Sequence, residues 1–289
     1  MENVIELRDV SKAFKTFLIK DMNLQIKQGY VTGFIGANGA GKSTVIKLMM
    51  NLLRPDKGEV TVFGLDHATY AKEIKERIGF VYDNNIFYNA LSLKDIGKIV
   101  APAYKRWDQT QFKNYIDRFE LPVHKPIKKF SKGMKMKASL AIALSHNAEL
   151  IIMDEPTAGL DPMFRRELLD IFQELMVDEK RSIFFSTHIT SDLDRFADYI
   201  ALIDQGEILF NQPIDELQTQ YAIVKGSTAL LDRDTEANFI KIDRSRNGFQ
   251  ALTNDVAKVT EVFGNHVVME RASLEEIMYY VRGARNLYV

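Results

Sequence analysis

Short apolar runs alternate with longer stretches of helical periodicity along most of the chain. Apolar positions at helical spacing predict a helix at residues 44–50 and an amphipathic helix at residues 164–177. Runs rich in Val, Ile and Phe predict buried strands at residues 31–35, 78–82, 150–154 and 182–186. Strand patterns that alternate with helical patterns indicate an α/β fold.

Shorter elements are predicted around these strands. Residues 200–203 and 208–210 form a hairpin pattern around Gln205 and Gly206. Short strands are predicted at residues 4–7, 23–26, 60–63, 239–242 and 267–269, and short helices at 71–77, 191–196 and 273–281. No internal repeat interrupts this order.

Residues 84–137 have a different, helical character. Ser92 followed by Asp95 is a capping-box pattern, and Asp108 is a suitable N-cap for a second helix. An aromatic and aliphatic stripe follows Asp108, and we interpret it as core packing rather than a ligand site, with Trp107 beside it. The stripe comprises Phe112, Tyr115, Ile116 and Phe119.

A glycine-rich loop directly follows the predicted strand at 31–35. Residues 36–43 read GANGAGKS, which fits the P-loop pattern without a mismatch. Glycines let backbone N–H groups turn toward an anion, and the following helix N-terminus adds partial positive charge. The predicted ATP contacts are Asn38, Gly39, Ala40, Gly41, Lys42, Ser43 and Thr44. Lys42 would meet the β- and γ-phosphates, and Ser43 would ligate Mg²⁺.

Two carboxylates end the apolar strand at residues 150–154. Asp154 would hold Mg²⁺, and Glu155 would orient and deprotonate an attacking water. Acidic residues at a helix N-terminus would give the same local pattern, since Pro156 and Thr157 follow. The P-loop favours the catalytic interpretation, because the two motifs need each other.

Five ordered motifs carry a family resemblance. They are the P-loop, residues 130–134 (FSKGM, here the signature segment), the Asp154–Glu155 pair, residues 158–161 (AGLD, here the D-loop) and residues 186–188 (STH). Over roughly residues 1–215 the chain resembles the ATP-binding subunit of an ABC transporter. The resemblance implies a P-loop NTPase (RecA-like) core with an inserted helical subdomain at about residues 84–137. It also implies a cassette at 1–220 and a small C-terminal α/β accessory domain at 221–289.

The resemblance also implies roles for single residues. Phe14 aligns with the aromatic residue that stacks on adenine, and Phe17 is the competing candidate. His188 would contact the γ-phosphate and link it to Glu155, and Asp161 is the D-loop aspartate. From a neighbouring subunit, Ser131, Lys132 and Gly133 would complete the ATP site.

The chain departs from the family pattern in two places. In the signature segment, Phe130 replaces Leu, Lys132 replaces the first Gly and Met134 replaces Gln. At the end of the strand at 78–82, the aligned position carries Asp83 instead of the usual Gln. We therefore also predict Asp83 as a Mg²⁺ ligand, with permease coupling as its alternative role.

Composition limits the partners. The net charge of −1 gives no global case for nucleic acid. The lysine cluster of residues 125–137 is interpreted as a solvated face, with a nucleic-acid patch as the alternative and with Lys132, in the signature segment, as the exception. The absence of Cys excludes disulfides and suits a reducing compartment. The N-terminus lacks the features of a signal peptide, and no apolar run reaches membrane-spanning length. A transport path would therefore require membrane permease subunits.

The predicted function is ATP binding and hydrolysis that powers a separate permease from the cytoplasmic face of the membrane. The subunit would act as a homodimer or heterodimer and would power the export of a peptide, antimicrobial or lipid-like cargo. The alternatives are a soluble ABC ATPase acting on ribosomes, a DNA-repair ATPase and a small-molecule kinase. Soluble ABC proteins that act on ribosomes usually have two cassettes, and DNA-repair ATPases of the related type have a long coiled coil. A small-molecule kinase would leave Ser131 and His188 unexplained.

Overall fold

The computed structural model describes residues 2–82 and 87–285. Its contacts divide the chain into two compact units. The first comprises residues 1–189 and 199–211, and the second comprises residues 190–198 and 212–289. Compactness alone does not define a functional domain, so the boundary at residue 220 stays a prediction.

The first unit contains two sheets and a helical segment. Its strands are β1 (Asn3–Ala13), β2 (Leu18–Lys27), β3 (Val31–Ile35), β4 (Lys57–Val62), β5 (Leu65–Asp66), β6 (Ile78–Val81), β7 (Leu150–Asp154), β8 (Ser182–Thr187) and β9 (Tyr199–Asp204), with β10 (Glu207–Pro213) ending in the second unit. Its helices are α1 (Lys42–Met49), α2 (Ala71–Arg77), α3 (Leu93–Val100), α4 (Gln109–Arg118), α5 (Lys132–Leu144) and α6 (Pro162–Met176), with 3-10 turns at Ala101–Ala103 and Ile127–Lys129.

A six-stranded sheet with the order β10-β9-β3-β8-β7-β6 forms the centre of this unit. The pairs β3–β8, β3–β9, β7–β8 and β6–β7 are parallel. Every residue of β3, β7 and β8 is buried, as their apolar runs predict. Because parallel strands place their carboxyl ends at one edge, the loops after β3, β7 and β8 open together.

A second, antiparallel sheet has the order β2-β1-β4-β5. Its inner side chains join those of α1 and of the parallel sheet in one apolar core, which includes Ile5, Leu24, Val45, Val60 and Phe34. This core fixes α1, and therefore the loop before it, against the central sheet.

The helical segment confirms the capping and stripe predictions. Ser92 and Asp95 form a capping box, and the Asp108 carboxylate accepts N–H bonds at the start of α4. Phe112, Ile116 and Phe119 are buried, and the Trp107 ring lies 5.0 Å from that of Phe112.

An ion-pair network joins this segment to the central sheet. Arg77 and Arg106 donate to the two oxygens of Glu149 at 2.7 and 2.6 Å. Burial alone would raise the pKa of Glu149, but the two guanidinium groups outweigh it and hold that pKa below its usual value. Glu149 therefore stays charged and keeps both arginines in place.

The second unit is a small α/β structure around the antiparallel sheet β12-β13-β11-β14. It comprises a 3-10 turn at Thr190–Arg195, α7 (Ile214–Gln220), β11 (Ala222–Gly226), a turn at Thr228–Leu230, α8 (Arg233–Glu236), β12 (Lys241–Ser245), β13 (Gly248–Thr253), α9 (Val256–Phe263), a turn at Gly264–His266, β14 (Val268–Arg271) and α10 (Leu274–Arg285). Val224, Phe249, Ala251, Val259 and Phe263 form its core.

Several predicted elements differ in detail from the structure. The strand expected at 239–242 begins only at Lys241, and the Phe239 ring before it packs against Phe249 and Phe263, each at 5.6 Å. The helix expected at 191–196 is a 3-10 turn, and the last helix extends to Arg285. Within the described part of the chain, no helix is long and apolar enough to cross a membrane.

Candidate functional site

The loop between β3 and α1 surrounds a cavity of about 380 Å³. The cavity is lined by Phe17, Ala37, Asn38, Gly39, Gly41, Lys42, Ser43, Thr44 and Glu155. Gly41 has a φ of 115°, and a Cβ there would lie 2.7 Å from the Phe17 ring, so both its backbone and its surroundings require glycine. Six of the seven predicted P-loop residues therefore line one cavity.

Ala40 is the exception among these seven. Its side chain is buried, and its carbonyl accepts the N–H of Gly206 at 2.9 Å. The bond anchors the back of the loop to the turn after β9. Ala40 thus supports the loop from behind instead of lining the cavity.

Lys42 is buried and makes three polar contacts inside the loop. Its Nζ donates to the Gly36 carbonyl at 2.8 Å and to the Ala37 carbonyl at 3.3 Å. The same Nζ lies 3.2 Å from Glu155 Oε1. The P-loop lysine is thus poised at the centre of the cavity, paired with the predicted catalytic carboxylate.

Glu155 links Lys42 to His188. Its Oε2 lies 2.8 Å from His188 Nδ1, while Oε1 faces the lysine. Glu155 has a φ of 50°, a conformation that non-glycine residues rarely adopt and that is often found at functional sites. The structure therefore brings the predicted base, its histidine and the P-loop lysine into one chain of contacts.

Ser186 holds the carboxylate pair and was not predicted as a site residue. Its hydroxyl donates to Asp154 Oδ1 at 2.6 Å and accepts the Glu155 N–H at 3.1 Å. The parallel register of β7 and β8 places Ser186 directly beside Asp154. The sequence signal for Ser186 is a serine at the end of an apolar strand. Its partner, Asp154, depends on the register between β7 and β8, which the local sequence does not reveal.

The metal prediction rests on oxygen donors. The Ser43 side chain lines the cavity, and Asp154 is buried at the end of β7. No group of three or more metal-ligating side chains occurs within residues 2–82 and 87–285. Two hard oxygen donors fit Mg²⁺, which keeps several waters and uses substrate phosphates as ligands. Asp83 lies outside the described residues.

The two candidate adenine-stacking residues lie together in the segment between β1 and β2. Phe17 lines the P-loop cavity, whereas the Phe14 ring is exposed and lies 6.2 Å from that of Phe17. Phe17 is therefore the ring nearer to the phosphate loop. The role of Phe14 stays a prediction.

The signature segment lies at the start of α5. Ser131 caps this helix as predicted, with its Oγ accepting the Met134 N–H at 3.2 Å. Lys132 Nζ donates to the Ala158 carbonyl at 2.6 Å, and Gly133 faces the Phe164 ring. Asp161 caps α6 by accepting the Phe164 N–H at 3.0 Å. None of these residues is among the described residues that line the P-loop cavity.

Comparisons with known proteins agree with this geometry. The family model described as "ABC transporter" matches residues 19–158. The chain is 33% identical over 228 residues to the bacitracin transport ATP-binding protein BcrA of Bacillus licheniformis, covering 75% of this chain and 72% of that relative.

Solved structures share the fold. A structure of an ATP-binding subunit of an ABC transporter superimposes with a TM-score of 0.67 at 26% identity, covering 75% of this chain and 92% of the other. The ATP-binding cassette MJ0796, solved as a dimer bound to ADP and Pi, has a TM-score of 0.64 at 24% identity and covers 73% of this chain and 98% of its own. The family resemblance and the predicted P-loop NTPase fold are thus confirmed, and the chain belongs to the ABC transporter family as an ATP-binding subunit, an ATPase coupled to transport.

Proposed function

We propose that this ATPase works as a dimer in which each ATP is sandwiched between the P-loop of one subunit and the signature segment of the other. The supporting observation is that the P-loop cavity and the signature segment lie apart within a single chain. Lys42 and Glu155 line the P-loop cavity, and His188 contacts Glu155, while Ser131 and Lys132 are exposed at a helix N-terminus outside the cavity. Such a terminus favours an anionic group.

Within one subunit, the proposed mechanism begins with Lys42. Its Nζ exchanges the Gly36 carbonyl and Glu155 for the β- and γ-phosphates, which frees the Glu155 carboxylate to orient the attacking water. His188 holds the other oxygen of Glu155 and would contact the γ-phosphate when ATP is bound. Ser43 and Asp154 would hold Mg²⁺, which neutralises charge on the phosphates when bound.

In the proposed cycle, ATP binding closes the dimer and hydrolysis reopens it. Binding of two ATP molecules shifts the equilibrium from the open to the closed dimer. A permease docked on the dimer would change conformation with it. The dimer that we propose contains two copies of this chain, and a heterodimer with a second ATP-binding subunit is the alternative. It would act at the cytoplasmic face of the membrane.

Export of a peptide, antimicrobial or lipid-like cargo is the transport function that we propose. The support is the similarity to BcrA, whose name assigns it to bacitracin transport. Cargo specificity would belong to the permease, because the P-loop site recognises ATP. Co-purification of this chain with a multi-span membrane protein would test the proposed assembly.

The dimer proposal predicts that ATPase activity per subunit rises with protein concentration. Below the dimer dissociation constant, a tenfold higher concentration should raise specific activity by up to about tenfold, by mass action. Steady-state phosphate release should be measured across a dilution series, with light scattering on the same samples. Flat specific activity from a monomer at every concentration would contradict the dimer proposal.

A second prediction concerns Ser186. Ser186→Ala removes a hydrogen bond to a buried carboxylate, so turnover should fall by about tenfold to a hundredfold. Ser186→Thr keeps the hydroxyl and should recover part of the loss. Phosphate release should be measured as a function of Mg²⁺ concentration, since a misoriented Asp154 should raise the Mg²⁺ requirement.

Ser182→Ala is the matched control. Ser182 is equally buried in β8, but its hydroxyl accepts the Gly29 N–H at 2.9 Å, at the other end of the strand. This variant should lower thermal stability while keeping the Mg²⁺ profile. If Ser186→Ala and Ser182→Ala gave the same Mg²⁺ profile, Ser186 would have a structural role only.

A further inference from the structure

The contact of Lys132 is not explained by the family pattern. Lys132 stands where that pattern has glycine, and it is the first residue of α5. Its Nζ donates to the Ala158 carbonyl at 2.6 Å, which joins the signature segment to the D-loop of the same chain. A distance this short indicates a charge-assisted hydrogen bond.

The D-loop is shaped to receive this ammonium group. Gly159 has a φ of 69°, and a Cβ built there would lie 2.9 Å from Lys132 Nζ. A side chain at this position would therefore displace the end of the lysine side chain. The absence of a Cβ at Gly159 leaves room for the Lys132 ammonium group beside the D-loop backbone.

The D-loop is in turn connected to Glu155 by a short, folded stretch. The Ala158 N–H donates to the Glu155 carbonyl at 3.2 Å, and the Leu160 N–H donates to the Thr157 carbonyl at 3.3 Å. The carbonyl that Lys132 binds thus belongs to a turn that begins at the predicted base. A movement of Lys132 would be transmitted to the backbone of Glu155 across this turn.

Further contacts join α5 to α6 beyond the D-loop. Lys137 Nζ lies 4.5 Å from the centre of the Phe164 ring and 3.2 Å from Glu167. Phe164 also packs beside Gly133. Among the residues that α5 contacts in this line, Ala158, which Lys132 binds, lies nearest to Glu155 along the chain.

We propose that Lys132 is a positioning residue that ties the signature segment to the D-loop and thereby couples the two ATP sites of the dimer. The inference rests on the proposed dimer, in which Ser131 and Gly133 serve the partner's ATP while Glu155 serves its own. When the partner's ATP engages the signature segment, Lys132 transmits the displacement to the turn that carries Glu155.

A two-part experiment tests this proposal on the full-length chain. Hydrogen exchange without nucleotide should be about threefold to tenfold faster at residues 158–161 in Lys132→Met, because the variant loses one charge-assisted bond at an exposed site. In the second part, the Hill coefficient of ATP hydrolysis should fall toward one in Lys132→Met. Lys132→Arg, which keeps a cationic donor, should retain a Hill coefficient above one.

Lys129→Met is the matched control, since Lys129 is an exposed lysine in the 3-10 turn just before the signature segment. It should alter neither exchange at residues 158–161 nor the Hill coefficient. Unchanged exchange in Lys132→Met would overturn the tie to the D-loop. Faster exchange with an unchanged Hill coefficient would overturn the coupling.

Two other outcomes separate this inference from the dimer proposal. If the wild-type chain hydrolyses ATP as a monomer with a Hill coefficient of one, the dimer proposal fails and the coupling fails with it. If Lys132→Met instead forms no ATP-bound dimer, while its exchange at residues 158–161 is unchanged, Lys132 contacts the partner's phosphate and the positioning role is wrong.

Discussion

Glu155→Gln should reduce ATP turnover by at least about a hundredfold while leaving ATP binding intact, because general bases contribute factors of this size. The amide keeps the shape of the carboxylate but cannot accept a proton from water. Glu155 contacts both Lys42 and His188, so its position at the centre of the site is well defined. Pre-steady-state phosphate release and nucleotide binding should be measured on the same preparation.

Glu149→Gln is a suitable control for this variant. Glu149 also pairs with basic side chains, Arg77 and Arg106, but it lies before β7 instead of after it. The control should lose some stability and keep most of its turnover. Wild-type-like hydrolysis by Glu155→Gln would remove Glu155 from the role of base.

Lys42→Ala should lose nucleotide binding. The buried Nζ is the cationic group of the P-loop cavity, and without it the loop would face the ATP phosphates with backbone N–H groups alone. At a ligand concentration of 100 times the dissociation constant, ATP should stabilise the wild-type fold by about 2.7 kcal/mol. This stabilisation should be absent in the variant at the same ATP concentration.

Thermal unfolding with and without ATP measures this effect. Lys47→Ala is the matched control, because Lys47 lies in the last turn of the same helix, α1. It should keep the full ATP-induced shift. An equal shift in Lys42→Ala and the wild type would exclude Lys42 from phosphate binding.

The central sheet and the P-loop could be predicted from the sequence because their signals are local. β3, β7 and β8 are buried over their full length, so each is rich in apolar residues in the sequence. The P-loop needs its glycines and Lys42 within one short segment. The burial of these strands and the geometry of the P-loop can therefore be predicted from the local sequence.

Contacts between distant segments could not be predicted in the same way. Ser186 meets Asp154 only through the register of two parallel strands, and Lys132 meets Ala158 only because α5 packs beside the loop after β7. The choice between Phe14 and Phe17 depends on which ring turns toward Gly41. Phe239 shows the same limit, since its aromatic partners, Phe249 and Phe263, are distant from it in the sequence.

ATP-gated dimerisation is the central claim, and the mass of Glu155→Gln in solution tests it most directly. Light scattering should be recorded at one protein concentration without nucleotide and with saturating Mg²⁺ and ATP. ATP should double the mass from the 33.1 kDa of a single chain, because the stalled variant traps the ATP-bound dimer. A variant that is saturated with ATP and remains at 33.1 kDa would contradict the account.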